Sequence, residues 1–106
     1  MEQITIDEIK RRIETGAEFH LVDVREPDEV KEFNIGGTHI PLGKIQSMQV
    51  EELDDLKKEE IVFYCRSGNR STQACLIMET LGFNNVKNLQ GGMLLWREKF
   101  GNDVKF

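Results

Sequence analysis

The chain has 106 residues, 39% of them apolar, and a formal net charge of −5 at pH 7. That length supports one domain, residues 1–106, around one modest core and leaves little room for a second. An acidic balance without a basic run argues against a nucleic-acid-binding surface, no apolar run is long enough to span a membrane, and Met1-Glu2-Gln3-Ile4 lacks the form of a signal peptide.

In chain order, Gln3-Ile4 reads as a short edge strand, and Thr5-Ile6-Asp7-Glu8 has the form of a capping box. Ile6, Ile9 and Ile13 then recur on one face of a helix that Gly16 ends. Phe19 to Val24 is a second strand, nearly continuous in apolar character, that closes on Asp23-Val24-Arg25. Pro27 suits the first turn of a helix, with Asp28 and Glu29 at its positive end and Val30 and Phe33 turned inward. Asn34 to Gly37 make a tight turn, and Thr38 to Pro41 a short strand that its proline keeps at or near an edge.

From Gly43 to Leu56 the pattern is weaker; Val50, Leu53 and Leu56 fit a short amphipathic helix, and Lys57 to Glu60 a solvated charged turn. Ile61 to Cys65 is a buried strand, followed by the loop Arg66-Ser67-Gly68-Asn69-Arg70-Ser71. A helix beginning at Thr72 carries Ala74, Cys75, Met78 and Leu81 at helical spacing until Gly82. Val86 to Leu89 is the last strand, and Met93 to Lys99 a last helix burying Leu94, Leu95 and Trp96, with a tail starting at Phe100. Strands alternating with helices through short connections predict an α/β fold with a parallel sheet and helices on both faces. In such a sheet Asp23-Arg25, Cys65-Arg70 and Gln90-Gly92 each follow a strand and converge on one edge, where open α/β sheets bind ligands.

The chemistry concentrates at Cys65. A thiol reacts as its thiolate, and a following helix N-terminus, a curled loop at Gly68 and the cations Arg66 and Arg70 all favour the charged form. Arg70 is the informative residue, because a cation at a helix N-terminus needs an anion to offset it: a thiolate, a persulfide or a bound oxyanion. Cys75 sits on an apolar helix face, where packing outweighs a resolving-thiol role. Asp23 and Arg25 either orient the loop or form a structural salt bridge. His20 and His39 read as surface or packing residues, and Trp96 as core, flooring the site beyond Gly91-Gly92. Two cysteines ten residues apart make neither a disulfide framework nor a CxxC zinc pair, so no metal or cofactor is expected and reduced thiols fit the cytoplasm.

At Cys65-Arg66-Ser67-Gly68-Asn69-Arg70-Ser71 the chain resembles the active-site loop of the rhodanese family. The resemblance extends through Leu21 to Pro27, Ile40-Pro41-Leu42, and Leu89-Gln90-Gly91-Gly92 with Trp96. It implies a three-layer α/β/α fold with a five-stranded parallel sheet in the order 3-2-4-5-1. It also implies a sulfurtransferase in which Cys65 accepts sulfur as a persulfide, cradled by the loop amides from Arg66 to Arg70. Cys65 to Arg70 is a six-residue ring, which in this family goes with sulfur; related phosphatases and arsenate reductases carry one residue more, which makes that chemistry the weaker alternative. The segment Glu32 to Thr38 departs from the usual family form and resembles rhodanese modules fused behind adenylation enzymes of sulfur-carrier pathways. The implied partners are a thiosulfate-like anion and a thiol or cyanide acceptor. A persulfide relay serving a cysteine desulfurase or a sulfur-carrier protein is the alternative.

Overall fold

The computed structural model describes residues 1–102. The tail expected at the end of the chain lies, for residues 103–106, outside the described residues. Five strands, β1 (Glu2–Ile4), β2 (His20–Asp23), β3 (Thr38–His39), β4 (Ile61–Tyr64) and β5 (Val86–Leu89), form one sheet. Five α-helices connect or follow them: α1 (Ile6–Thr15), α2 (Pro27–Glu32), α3 (Leu42–Gln46), α4 (Asn69–Thr80) and α5 (Gly92–Phe100), with a 3-10 helix at Glu51–Leu56. Every pairing is parallel and the order across the sheet is β1-β5-β4-β2-β3, the order 3-2-4-5-1 that the family resemblance implies, seen from the other side.

Strand β4 is central, and its period of two assigns each residue to a face. Ile61 and Phe63 join Val22, Val24, Ile40 and Ile45 in a core that takes in Ala74, Cys75 and Met78 of α4. Val62 and Tyr64 join Ile4, Leu21 and Leu89 in a second core with Ile6 and Ile9 of α1 and Met93 and Trp96 of α5. A strand buried on both faces has no polar alternation, which is why Ile61 to Tyr64 is an uninterrupted apolar run. Thr5 caps α1 by accepting the Glu8 N–H at 3.2 Å, and Gly16 ends that helix in the left-handed region. No helix among the described residues is long and apolar enough to cross a membrane.

Several local expectations are corrected. Helix α4 begins at Asn69, not Thr72, so Arg70 and Ser71 stand in its first turn. Polar residues of modest helix propensity read as loop, but at a helix start they are stabilised by whatever satisfies the free N–H groups. The weak stretch after Pro41 holds the five-residue α3, too short to show a period, and the run ending at Leu56 is a 3-10 helix. Lys57 to Glu60 is more than a solvated turn, because Glu60 is half-buried and pairs with both Arg12 and Lys87, the latter at 2.6 Å. In α5 the buried stripe is Met93 and Trp96, three residues apart; Leu94 and Leu95 fall off it and are exposed, while Val30 of α2 is only half-buried.

Adjacent residues of β4 separate two kinds of stabilisation. Phe63→Ala, which empties a fully buried site, should cost about 3–5 kcal/mol by chemical denaturation. Tyr64→Phe, which removes only the hydroxyl that donates to the Gly36 carbonyl at 2.8 Å, should cost about 1 kcal/mol.

Candidate active site at the Cys65 loop

Strand β4 delivers Cys65 to the carboxyl edge of the sheet, and the chain turns at once into α4. Gly68, with φ 102°, is the residue that precedes the helix, a left-handed conformation that suits glycine. The turn brings N–H groups onto the sulfur: Gly68 N donates to Cys65 Sγ at 3.1 Å and Ser71 N at 3.4 Å. The Ser71 hydroxyl lies 3.3 Å from the same sulfur. Burial raises the Cys65 pKa, but the hydrogen bonds from the Ser71 hydroxyl and the Ser71, Gly68 and Ser67 amides outweigh it, so the thiol is held below its ordinary value. Cys75 has no such donors, and burial pushes its thiol up to about 12.

The third strand end closes the loop from the side. Met93 N donates to the Cys65 carbonyl at 3.0 Å and Leu94 N to the Arg66 carbonyl at 2.9 Å, so the start of α5 is fastened to the cysteine turn. Gly92 makes this approach: a Cβ there would lie 2.5 Å from the Cys65 carbonyl oxygen. Cys65, Gly68 and Ser71 are buried, Arg70 is half-buried, and Arg66, Ser67 and Asn69 are exposed. Beside the loop is a cavity of 160 Å³ lined by Arg25, Glu29, Glu32, Arg66, Met93, Leu94 and Arg97. Trp96 does not line it; that residue lies in the α1–α5 core, edge-on to Phe100 with ring centroids 5.1 Å apart, and Met93 takes the place expected for it.

The charged residues are arranged differently from the sequence expectation. The anion that offsets Arg70 is a side chain of the protein: both guanidinium ends donate to Glu29 of α2, at 2.6 and 2.7 Å. Arg70 holds the Glu29 carboxyl at about 2, well below the carboxylate range. Arg25 Nε and Nη2 donate to Asp23 at 2.9 and 2.8 Å, and Nη2 also donates to the Phe33 carbonyl at 2.7 Å. Asp23 and Arg25 therefore fasten the segment around α2 to the end of β2, and make no direct hydrogen bond to residues 65–71. Their link to the loop runs through Glu29, whose carbonyl accepts from Arg25 Nη1 at 3.4 Å while its carboxylate holds Arg70. Of the two histidines, His39 donates to the Arg25 carbonyl at 2.6 Å and His20 faces Glu59 on the surface.

One residue at the site escaped notice in the sequence. Asn88 of β5 is buried and its carboxamide oxygen accepts from the Ser71 hydroxyl. A polar residue in an otherwise apolar strand, Val86-Lys87-Asn88-Leu89, is the signal that could have found it.

Two measurements check this electrostatic picture. A small alkylating reagent near neutral pH should modify Cys65 and leave Cys75 unreacted until the protein unfolds, as read by mass spectrometry on wild type and Cys65→Ser. Because the folded Glu29 carboxyl is depressed from 4.5 to about 2, its stabilisation is complete above pH 4.5 and is lost as pH falls toward 2. Acid titration of stability should therefore show a smaller loss across that window in Glu29→Gln than in wild type.

The model of the Rhodanese-like domain family matches residues 5–99. YtwF of Bacillus subtilis (strain 168), provisionally named a sulfurtransferase, is 41% identical over 97 residues, which cover 91% of this chain and 90% of YtwF. MoeZ of Mycobacterium tuberculosis (strain H37Rv), named a probable adenylyltransferase/sulfurtransferase, is 33% identical over 103 residues; these are 95% of this chain but only 26% of MoeZ. Among solved structures, a rhodanese-like domain protein from Staphylococcus aureus aligns over 100% of both chains with a TM-score of 0.78 and 29% identity.

Proposed function

Because this chain belongs to the rhodanese-like domain family, we propose that it is a sulfurtransferase in which Cys65 carries the transferred sulfur as a persulfide. The observation that carries this reading is the buried Cys65 sulfur, which receives the Gly68 and Ser71 amides at 3.1 and 3.4 Å. Amides aimed at one point stabilise a thiolate before reaction and a persulfide anion after it, with no histidine needed as base.

In the forward step the Cys65 thiolate attacks the outer sulfur of a donor such as thiosulfate. The Cys65–sulfur bond forms, the sulfur–sulfur bond of thiosulfate breaks, and sulfite leaves with that electron pair. An acceptor thiolate or cyanide then attacks the outer sulfur of the persulfide and returns Cys65 as a thiolate, so atoms and electrons balance over two half-reactions. Arg66, exposed at the rim of the cavity, is the cation best placed to meet a leaving anion. We read residues 1–106 as one rhodanese domain, Ser67, Gly68, Asn69 and Ser71 as the rest of the cradle, and Asp23 and Arg25 as its support through Glu29. Persistence of reduced thiols would suit the cytoplasm.

The Arg70–Glu29 pair favours a second reading, a persulfide relay that receives sulfur from a desulfurase or serves a sulfur-carrier adenylation pathway. With Arg70 already occupied by a carboxylate, a dianionic donor gains less at this site than a sulfur presented on a neutral thiol carrier. The likeness to part of MoeZ points the same way.

Incubation with thiosulfate should add the mass of one sulfur atom to the wild-type protein and nothing to Cys65→Ala. An unmodified wild type, or an equal adduct in the variant, would end the persulfide reading with this donor. Slow loading from thiosulfate beside fast loading from a cysteine desulfurase would select the relay.

A further inference from the structure

The Ser71 hydroxyl has one proton and two neighbours that can take it. One is Cys65 Sγ at 3.3 Å; the other is the carboxamide oxygen of Asn88. Beyond Asn88 the series continues, since Asn88 Nδ2 donates to Gln3 Oε1 at 2.8 Å across the β1–β5 pairing, where Gln3 and Asn88 are direct partners. Ser71 and Asn88 are 0% and 3% exposed, so water does not replace a missing partner at either.

Proton counting then couples the orientation of Asn88 to the charge on the sulfur. While Cys65 is a thiol, its S–H can donate to Ser71 Oγ and the Ser71 proton goes to Asn88 Oδ1. When Cys65 is a thiolate, the Ser71 proton must turn to the sulfur, and Asn88 Oδ1 loses its donor. A carboxamide resolves this by a half-turn about its terminal bond: Nδ2 then donates to Ser71 Oγ, and the exposed Gln3 amide, which now presents Oε1 to Asn88, turns likewise so that its Nε2 donates to Asn88 Oδ1. Neither a carboxylate nor an apolar side chain can serve both arrangements.

We propose that Asn88 is a positioning residue that sets the direction of the Ser71 hydroxyl and thereby the balance between thiol and thiolate at Cys65, with Gln3 as the outer end of the relay. This deepens, and rests on, the reading of Cys65 as the sulfur-carrying thiol. The other charged or titratable groups about the sulfur are Arg66 of the loop, Arg70 and Cys75 of α4, and Glu26 and Glu29 of α2 facing Arg70. None of these groups is altered in the variants below; Asn88→Asp and Gln3→Glu each add a carboxylate, and the Ser71→Ala background isolates its through-space effect on the sulfur.

The test is the pH profile of Cys65 alkylation by iodoacetamide in wild type, Asn88→Asp, Ser71→Ala and the double variant. A carboxylate at 88 only accepts, so it holds the Ser71 proton away from the sulfur; alkylation near neutral pH should fall about tenfold, with the profile moved to higher pH. In the Ser71→Ala background the same substitution should change the rate less than about threefold, because the relay is already cut. An equal effect with and without Ser71 would show a plain charge effect and overturn the proposal, as would an unmoved profile in Asn88→Asp. Gln3→Glu, on an exposed strand where folding is not at stake, should move the profile the same way, and its effect should also vanish in Ser71→Ala; persistence there would likewise overturn it. Alkylation needs no persulfide, so an Asn88–Ser71 effect with no sulfur adduct from either thiosulfate or a cysteine desulfurase would leave this inference standing while the sulfur-transfer reading fails. An adduct with no relay effect would do the reverse.

Discussion

The structure turns on how a sulfur with no solvent exposure can hold charge. Removing a thiolate from water costs several kcal/mol unless fixed dipoles take the place of the solvent. Here the start of α4 supplies them, and the same contacts give two of the otherwise unpaired N–H groups of that helix start, those of Gly68 and Ser71, a partner. Each side satisfies the other, which is why three polar residues can start a helix at Asn69.

The remaining elements hold that turn in place. Parallel pairing puts the ends of β2, β4 and β5 on one edge, and the hydrogen bonds from the start of α5 to the carbonyls of Cys65 and Arg66 close the loop over its own sulfur. From the other side, Asp23 and Arg25 fix α2, and α2 presents Glu29 to Arg70. The result is a ring of neutral amides around the Cys65 sulfur, beside an Arg70 guanidinium already balanced by Glu29.

The exposed Leu94 and Leu95 at the start of α5 show how far local pattern reaches. Three consecutive apolar residues, Leu94-Leu95-Trp96, invite burial of all three, but a helix has one inward stripe, and packing against α1 chose Met93 and Trp96 for it. Asn88 is the opposite case: a residue that looks like a break in an apolar strand proves to be satisfied at both ends of its amide.

The sequence by itself determined what depends on neighbours a few residues apart: the run Ile61 to Tyr64 as a strand, the cap at Thr5, the turn at Gly68, and the alternation of strand and helix that implies a parallel sheet. With the family resemblance it also determined the strand order, and it pointed to Cys65 as the thiol to watch. What only the tertiary structure decided were the partners of polar groups distant in the chain. Arg70 meets Glu29 across 41 positions, Ser71 meets Asn88 across 17, and Asn88 meets Gln3 across 85. The physical reason is that periodicity fixes which face a side chain occupies, whereas hydrogen-bond partners are fixed by which faces the sheet brings together. No local pattern encodes that second choice.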